Sequence, residues 1–234
     1  VSAMSNLSNK LLEVMKKDAL RELHDLKNLA ETTNANANHS FEIILSTADL
    51  TTAIRKTVNE LEIELVVMGT KGATGAKEFF FGSNTVNVIK GKMACPVLMI
   101  PEEYDFIELK QIAFPTDFSR SYNKKELAPL KNLAELYNSK IRIVHINEEE
   151  ILNDLQASNL KQLKSSLGDY ETTFHWMPDY AKKAITINDF IEELDINILV
   201  MLSYKHSLIE KIIKEPVIKK IWLKPTIPFL VIPE

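Results

Sequence analysis

The glycines of this chain are clustered where they could bind a phosphate. Five of the six lie between residues 69 and 91, and the pattern Gly69-x2-Gly72-x9-Gly82-Ser83 stands out among them. The cluster follows an apolar, strand-like run over residues 65–68 and precedes a helix-like run over residues 84–90. A strand that ends in glycines and leads into a helix exposes backbone N–H groups, which bind phosphate oxygens.

Each residue type in the cluster suits that chemistry. Gly69 and Gly72 would let the backbone turn tightly and approach a phosphate closely, because glycine has no Cβ. Gly82 and Ser83 would start the next helix, where unpaired N–H groups and the serine hydroxyl can bind phosphate oxygens. A turn without a ligand is the alternative interpretation. The candidate binding residues are Met68, Gly69, Thr70, Gly72, Gly82, Ser83 and Asn84.

The chain also repeats itself. The apolar run at residues 65–68 recurs at 198–201, and the run at 95–101 recurs at 227–233, which places the second copies 133 and 132 residues later. Two similar units joined head to tail explain this pattern better than one large fold. We expect a first unit over residues 1–103 and a second over residues 104–234.

The second unit alternates strands and helices, which predicts an α/β fold with a doubly wound, Rossmann-like parallel sheet. The predicted strand order is 3-2-1-4-5. We expect strands at 112–115, 141–146, 171–176, 198–201 and 229–232, and helices at 123–138, 149–167, 186–194 and 217–222.

The first unit is expected to lack its opening β-α-β segment. Reading back from the glycines gives a strand at 64–68, a helix at 48–61, a strand at 41–45 and a long helix at 8–31. The given chain then starts late, or its first half is a natural or engineered fragment. Without its neighbours, the strand at 64–68 would expose an edge, so some other segment must fill the gap.

The glycine pattern and the strands on either side of it resemble the universal stress protein family, specifically its ATP-binding branch. Thr116-Asp117-Phe118-Ser119 resembles the opening signature of that family. The resemblance implies ATP, with or without magnesium, as the ligand of the first unit. It also implies that an aspartate in the place of Asp117 contacts the adenine end. Here Asp117 belongs to the second unit, so a helix cap or a remnant is favoured, with use in trans as the other possibility.

The second unit is predicted to bind no nucleotide. Leu202 stands in the place of Gly69, and Glu215-Pro216 replaces Gly82-Ser83. Proline has no N–H, and glutamate adds negative charge where an anion would dock. In the family the last strand pairs across a two-fold axis. We therefore expect a homo-oligomer or an intramolecular pseudo-dimer through the strands from Val97 to Ile100 and from Phe229 to Ile232.

Composition narrows the function further. The net charge is −4, the lysines are interspersed with acidic residues, and no apolar run is long enough to span a bilayer, so neither nucleic acid nor membrane is an expected partner. The single cysteine, Cys95, is compatible with the cytoplasm. No catalytic set is recognisable. The sequence predicts a cytoplasmic, ATP-binding stress-response protein that is not an enzyme; a slow ATPase and a nucleotide-free interaction scaffold are the alternatives.

Overall fold

A computed structural model describes residues 2–33, 36–70, 83–91, 93–102, 104–147, 151–178, 183–204 and 226–234. The chain divides into two compact units, Val1–Asp49 and Leu50–Glu234. The repeat boundary predicted after residue 103 therefore lies inside the larger unit.

The smaller unit is dominated by one helix, α1, over Ser2–Thr33. The predicted helix at 8–31 is thus confirmed and extends further at both ends. The strand predicted at 41–45 is wrong, because the described residues from 36 to 49 form no strand. A strand is held by hydrogen bonds to a neighbouring strand, and no described strand pairs with this segment.

The larger unit alternates strands and helices as the sequence predicts, and the described elements agree with the predicted ones to within a few residues, apart from the later start of α5. The predicted helix at 217–222 lies outside the described residues. The elements are α2 Leu50–Glu60, β1 Val66–Gly69, α3 Ser83–Lys90, β2 Val97–Ile100, β3 Gln111–Pro115, α4 Lys124–Tyr137, β4 Lys140–Asn147, α5 Asp154–Ser166, β5 Thr172–Pro178, α6 Lys183–Glu193, β6 Ile198–Ser203 and β7 Phe229–Pro233.

The strands of the larger unit form a single sheet in the order β1-β2-β7-β6-β3-β4-β5. All neighbouring strands are parallel except β2 and β7, which are antiparallel. Counted from β5 back to β7, the sheet contains the third, second, first, fourth and fifth strands of the second half. This order confirms the predicted order 3-2-1-4-5. Strand β1 stands at one end of the sheet.

The pairs β1–β2 and β6–β7 have the same register. Val66 pairs with Val97. Leu199, which lies 133 residues after Val66, pairs with Phe229, which lies 132 residues after Val97. The N–H groups of Val66 and Leu199 each donate to a proline carbonyl, of Pro96 and Pro228 respectively, at 3.0 Å. Between the two pairs, β2 and β7 meet antiparallel with Leu98 opposite Leu230.

Both faces of the sheet carry apolar clusters. On one face, Val97 and Met99 of β2 join Phe229 and Val231 of β7 beneath residues of α3 and α6. The other face packs β6, β7 and β3 against α4 and α5, with the fully buried residues Val200, Phe114, Leu127, Leu130 and Leu163. None of the helices described is both long and apolar enough to cross a bilayer.

Candidate functional site

The first candidate site is built where β1 ends and α3 begins. The hydroxyl of Thr85, in the first turn of α3, donates to the carbonyl oxygen of Gly69 at 3.2 Å. The N–H of Thr70 donates to the carbonyl of Ile100 at 3.0 Å, which fixes the end of β1 against β2. Thr70 and Thr85 are both buried. The structure thus brings the start of α3 to the end of β1, two places separated by 13 intervening residues in the sequence.

Gly69 leaves open space at this position. A Cβ built on Gly69 would meet no described atom within 4 Å, and its backbone is not in the left-handed region. Neither packing within the described residues nor a left-handed backbone conformation therefore explains glycine here. A ligand that approaches the backbone closely is a physical reason that remains.

The helix end beside Gly69 is suited to an anion. The first turn of α3 contains no acidic residue, so no carboxylate of that turn opposes the partial positive charge of the helix end. Asn84 is exposed at this end, whereas Met68 is half-buried and packs against the apolar cluster below. Ser83 is the first helical residue. The predicted residues Gly72 and Gly82 lie outside the described residues.

In the second half, Asp117 follows β3 at the carboxyl edge of the sheet. Its Oδ1 accepts the N–H of Ser119 at 2.9 Å and faces the Tyr204 hydroxyl at 3.4 Å. The carbonyl of Asp117 accepts the amide of Gln156 at 2.9 Å. The predicted role of Asp117 as a helix cap is wrong, because Asn123 caps α4 with its side chain.

Arg120 and Tyr204 lie close to Asp117 at this edge of the sheet. The Arg120 guanidinium pairs with the buried Glu126 carboxylate and lies 3.7 Å from Glu234. It also lies over the Tyr204 ring, 4.9 Å from its centroid. Burial, together with the nearby Asp117 carboxylate, raises the pKa of Tyr204. Arg120 Nη1, which lies 3.7 Å from Glu234, is buried and has no hydrogen-bond partner among the described residues.

Sequence reasoning missed Arg120 and Tyr204 as neighbours of Asp117. The available signal was the strand order, because order 3-2-1-4-5 places the carboxyl ends of β3 and β6 side by side. Tyr204 directly follows β6, and Arg120 lies in the loop after β3.

His145 has a structural role. It is buried, its Nδ1 lies 2.9 Å from the carbonyl oxygen of Thr116, and its ring stacks on Phe118 at 4.7 Å. Within the described ranges, no group of three His, Cys, Asp or Glu side chains could hold a metal ion. Cys95 is a buried free thiol. Its pKa is raised above the ordinary value, and burial is the main cause.

Comparison with known proteins gives a family match for residues 2–101 and a fold for the chain. Residues 2–101 match the Universal stress protein family. No curated protein matches the chain significantly.

Three solved structures share the fold. A universal stress protein from Archaeoglobus fulgidus superposes with a TM-score of 0.72 at 19% identity, over 96% of this chain and 81% of its own. A candidate universal stress protein from Pseudomonas aeruginosa gives 0.60 at 14% identity, over 91% and 77%. A protein of unknown function from the same species gives 0.58 at 15% identity, over 93% and 77%.

Proposed function

We propose that this chain, whose residues 2–101 match the Universal stress protein family, is a stress-response protein that binds ATP at the carboxyl end of β1. Gly69, Thr70 and the start of α3 at Ser83 and Asn84 form the described part of the site, and Gly72 and Gly82 complete it. The observation that carries the proposal is the Thr85–Gly69 hydrogen bond, which sets the first N–H groups of α3 beside open backbone.

In this proposal the second half is a structural partner that binds no nucleotide. Tyr204 donates to the Asp117 carboxylate there, and Leu202 is buried in the place of Gly69. The matching registers of β1–β2 and β6–β7 support a tandem pair whose last strands associate within one chain. The protein then binds ATP, with or without magnesium, as a signal in the cytoplasm.

The first test concerns the open space at Gly69. Gly69→Ala places a methyl group where the phosphate would approach, so we expect ATP affinity to fall at least about tenfold, or about 1.4 kcal/mol. The matched control is Gly168→Ala, where the Cβ would make only ordinary contacts at 3.6 and 3.7 Å. Calorimetry with ATP and magnesium measures both variants, and thermal unfolding shows whether the fold is intact.

The second test concerns the N–H groups of α3. Ser83→Pro removes one backbone donor at the first helical position, where proline is tolerated, and introduces the residue that the second half carries at Pro216. Ser83→Ala removes only the hydroxyl. We expect the proline variant to bind ATP more weakly than the alanine variant, with similar stability.

Two outcomes would reject the proposal. If the unaltered chain gives no binding heat at millimolar ATP, the protein is a nucleotide-free scaffold. If phosphate release exceeds the buffer background and is lost in Ser83→Pro, the protein is a slow ATPase.

A further inference from the structure

Strand β5 stands at the end of the sheet opposite β1, and β4 is the one described strand that pairs with it. It is seven residues long, it contains no Asp, Glu, Lys or Arg, and its one proline, Pro178, is its last residue. Natural proteins usually keep an edge strand from pairing with another chain by making it short or by placing charged side chains on it. Strand β5 has neither form of protection.

The backbone of β5 directs the hydrogen-bonding groups of alternate residues away from the sheet. Ile141 of β4 pairs with Thr172, and its N–H donates to the carbonyl of Glu171 at 2.9 Å. In a parallel ladder, every second residue bonds to the same neighbouring strand, so the odd-numbered residues of β5 face β4. The N–H and carbonyl groups of Thr172, Phe174 and Trp176 therefore point outwards.

Aromatic side chains line this free edge. The rings of Phe174 and Trp176 lie 6.3 Å apart; Trp176 is 42% exposed, and Phe174 is half-buried. The Lys164 ammonium of α5 lies 4.9 Å from the Phe174 ring. On the opposite face of the sheet, the His175 ring lies 5.1 Å from the ring of Phe190 in α6. One helix thus packs on each face of β5.

We propose that β5 of one copy of this chain pairs antiparallel with β5 of a second copy, about a two-fold axis that passes between the two copies of His175. Phe174 then lies opposite Trp176 of the second copy, and each such pair exchanges both backbone hydrogen bonds through its outward groups. Aromatic side chains directly opposite each other stabilise an antiparallel pair. The two sheets become one continuous sheet across the dimer.

The side chains of β5 favour a second copy as the occupant. One strand carries both members of the aromatic pair, so two identical edges complement each other, as a two-fold interface requires. The strand brings no Asp, Glu, Lys or Arg into contact with its own copy. Burial, and then the charge of Arg142, lower the pKa of His175, so the two rings at the axis are neutral at pH 7.

The size of the edge is sufficient for a weak dimer. Seven residues extend about 23 Å, and the flanking helices, each about 10 Å in diameter, make the edge about 20 Å high. Such an edge covers roughly 500 Å² on each copy, or about 1,000 Å² in total, which is near the lower limit for a specific interface. We therefore expect a reversible dimer that dissociates on dilution. Its interface is separate from the junction of β2 and β7.

Sedimentation velocity over a range of protein concentrations tests the dimer. Trp176→Lys should weaken dimerisation at least tenfold, because it places two ammonium groups in the aromatic interface, whereas Trp176→Phe should retain the dimer. Val67→Lys is the matched control, since Val67 is 58% exposed on β1 at the other end of the sheet. A monomer at every concentration, or a dimer that Val67→Lys dissociates and Trp176→Lys does not, would overturn the proposal.

Disulfide cross-linking tests the register. Opposite residues of a pair without mutual hydrogen bonds have Cα atoms about 4.5 Å apart, which a disulfide can bridge. His175→Cys should therefore form a covalent dimer under mild oxidation. Thr173→Cys should not, because Thr173 lies opposite Met177 of the second copy. The unaltered chain, with Cys95 alone, gives the background. Efficient cross-linking of the Thr173 variant instead would exclude this register.

Hydrogen exchange on the unaltered chain tests the edge without any substitution. As the protein concentration rises, the outward amides of Phe174 and Trp176 should exchange at least tenfold more slowly. The amides of Thr173 and His175 face β4 in the monomer, so their exchange should change far less. Equal slowing of all four amides would indicate general stabilisation of β5, and slowing in β1 alone would place the interface at the other edge; either result contradicts the proposal.

Discussion

At the residue scale, the glycines of this chain have different surroundings at different positions. Gly69 borders open space, Gly168 would make ordinary contacts as alanine, and Gly91 is confined by its neighbours. A Cβ at Gly91 would lie 2.7 Å from Thr51 Cγ2 and 3.1 Å from the carbonyl oxygen of Asn87. The side chain can adjust, but the helix carbonyl cannot move without distorting the end of α3.

Gly91→Ala should therefore destabilise the protein through overpacking. We expect a loss of about 1–2 kcal/mol in the free energy of unfolding. Gly168→Ala should stay within about 0.5 kcal/mol of the unaltered chain, as surface changes usually do. Urea denaturation of both variants makes the comparison, and equal stabilities would show that the pocket at Gly91 relaxes freely.

His175 makes stability depend on pH. Its pKa lies below the ordinary value of 6.5, first because of burial and second because of the positive charge of Arg142. Arg142 donates to the Thr173 hydroxyl at 2.8 Å, and that hydroxyl lies 2.7 Å from His175 Nε2, an arrangement that favours a neutral ring.

Since the unfolded chain binds this proton more readily, stability should fall as the pH drops below about 6.5. His175→Gln removes the titrating group, so its stability should fall less between pH 7 and pH 5. Urea midpoints at pH 8, 7 and 5 measure the slope. The pH 8 comparison separates any packing effect, and parallel slopes for both proteins would refute the assignment.

At the scale of the element, local sequence decides where helices begin. Asn123 accepts the N–H groups of Lys125 and Glu126 at 2.9 and 3.0 Å, while Glu126 accepts the N–H of Asn123 at 2.8 Å. Asn153 and Gln156 form the same reciprocal arrangement at the start of α5. These capping boxes need only residues three apart, which explains why the predicted start of α4 agrees with the structure.

Asn123→Ala should remove the side-chain acceptor of this cap. The expected cost is about 1 kcal/mol in the free energy of unfolding. Asn123→Ser is the control, because its hydroxyl can still accept a helix N–H. Chemical denaturation tests the pair, and an unchanged alanine variant would mean that water replaces the cap without loss.

At the scale of the whole molecule, the junction of β2 and β7 joins both halves into one sheet. Leu98 and Leu230 pair directly at its centre. Apolar residues from both strands share one cluster on one face, so β1–β2 is continuous with the core of the second half. Opening of either strand then exposes the same apolar surface.

Leu230→Ala should test this continuity. Leu230 is 3% exposed, and truncation of a buried leucine costs about 2–5 kcal/mol. If the sheet unfolds as one unit, amide protection should fall by the same free energy in β2 and β7. Leu136→Ala should change neither strand. Loss of protection in β7 alone would indicate that the halves unfold separately.

The sequence by itself determined the elements of the larger unit and the parallel order of the second half, and it predicted the candidate site at Gly69. These follow from hydrophobic periodicity, capping residues and glycine spacing, which act over a few neighbouring residues.

Tertiary structure alone decided the rest. Residues 41–45 form no strand despite their apolar pattern, because a strand depends on a partner that local sequence does not supply. It also decided that Tyr204 faces Asp117 across 87 residues of chain. Such contacts arise only when distant segments are brought together, so no local pattern encodes them.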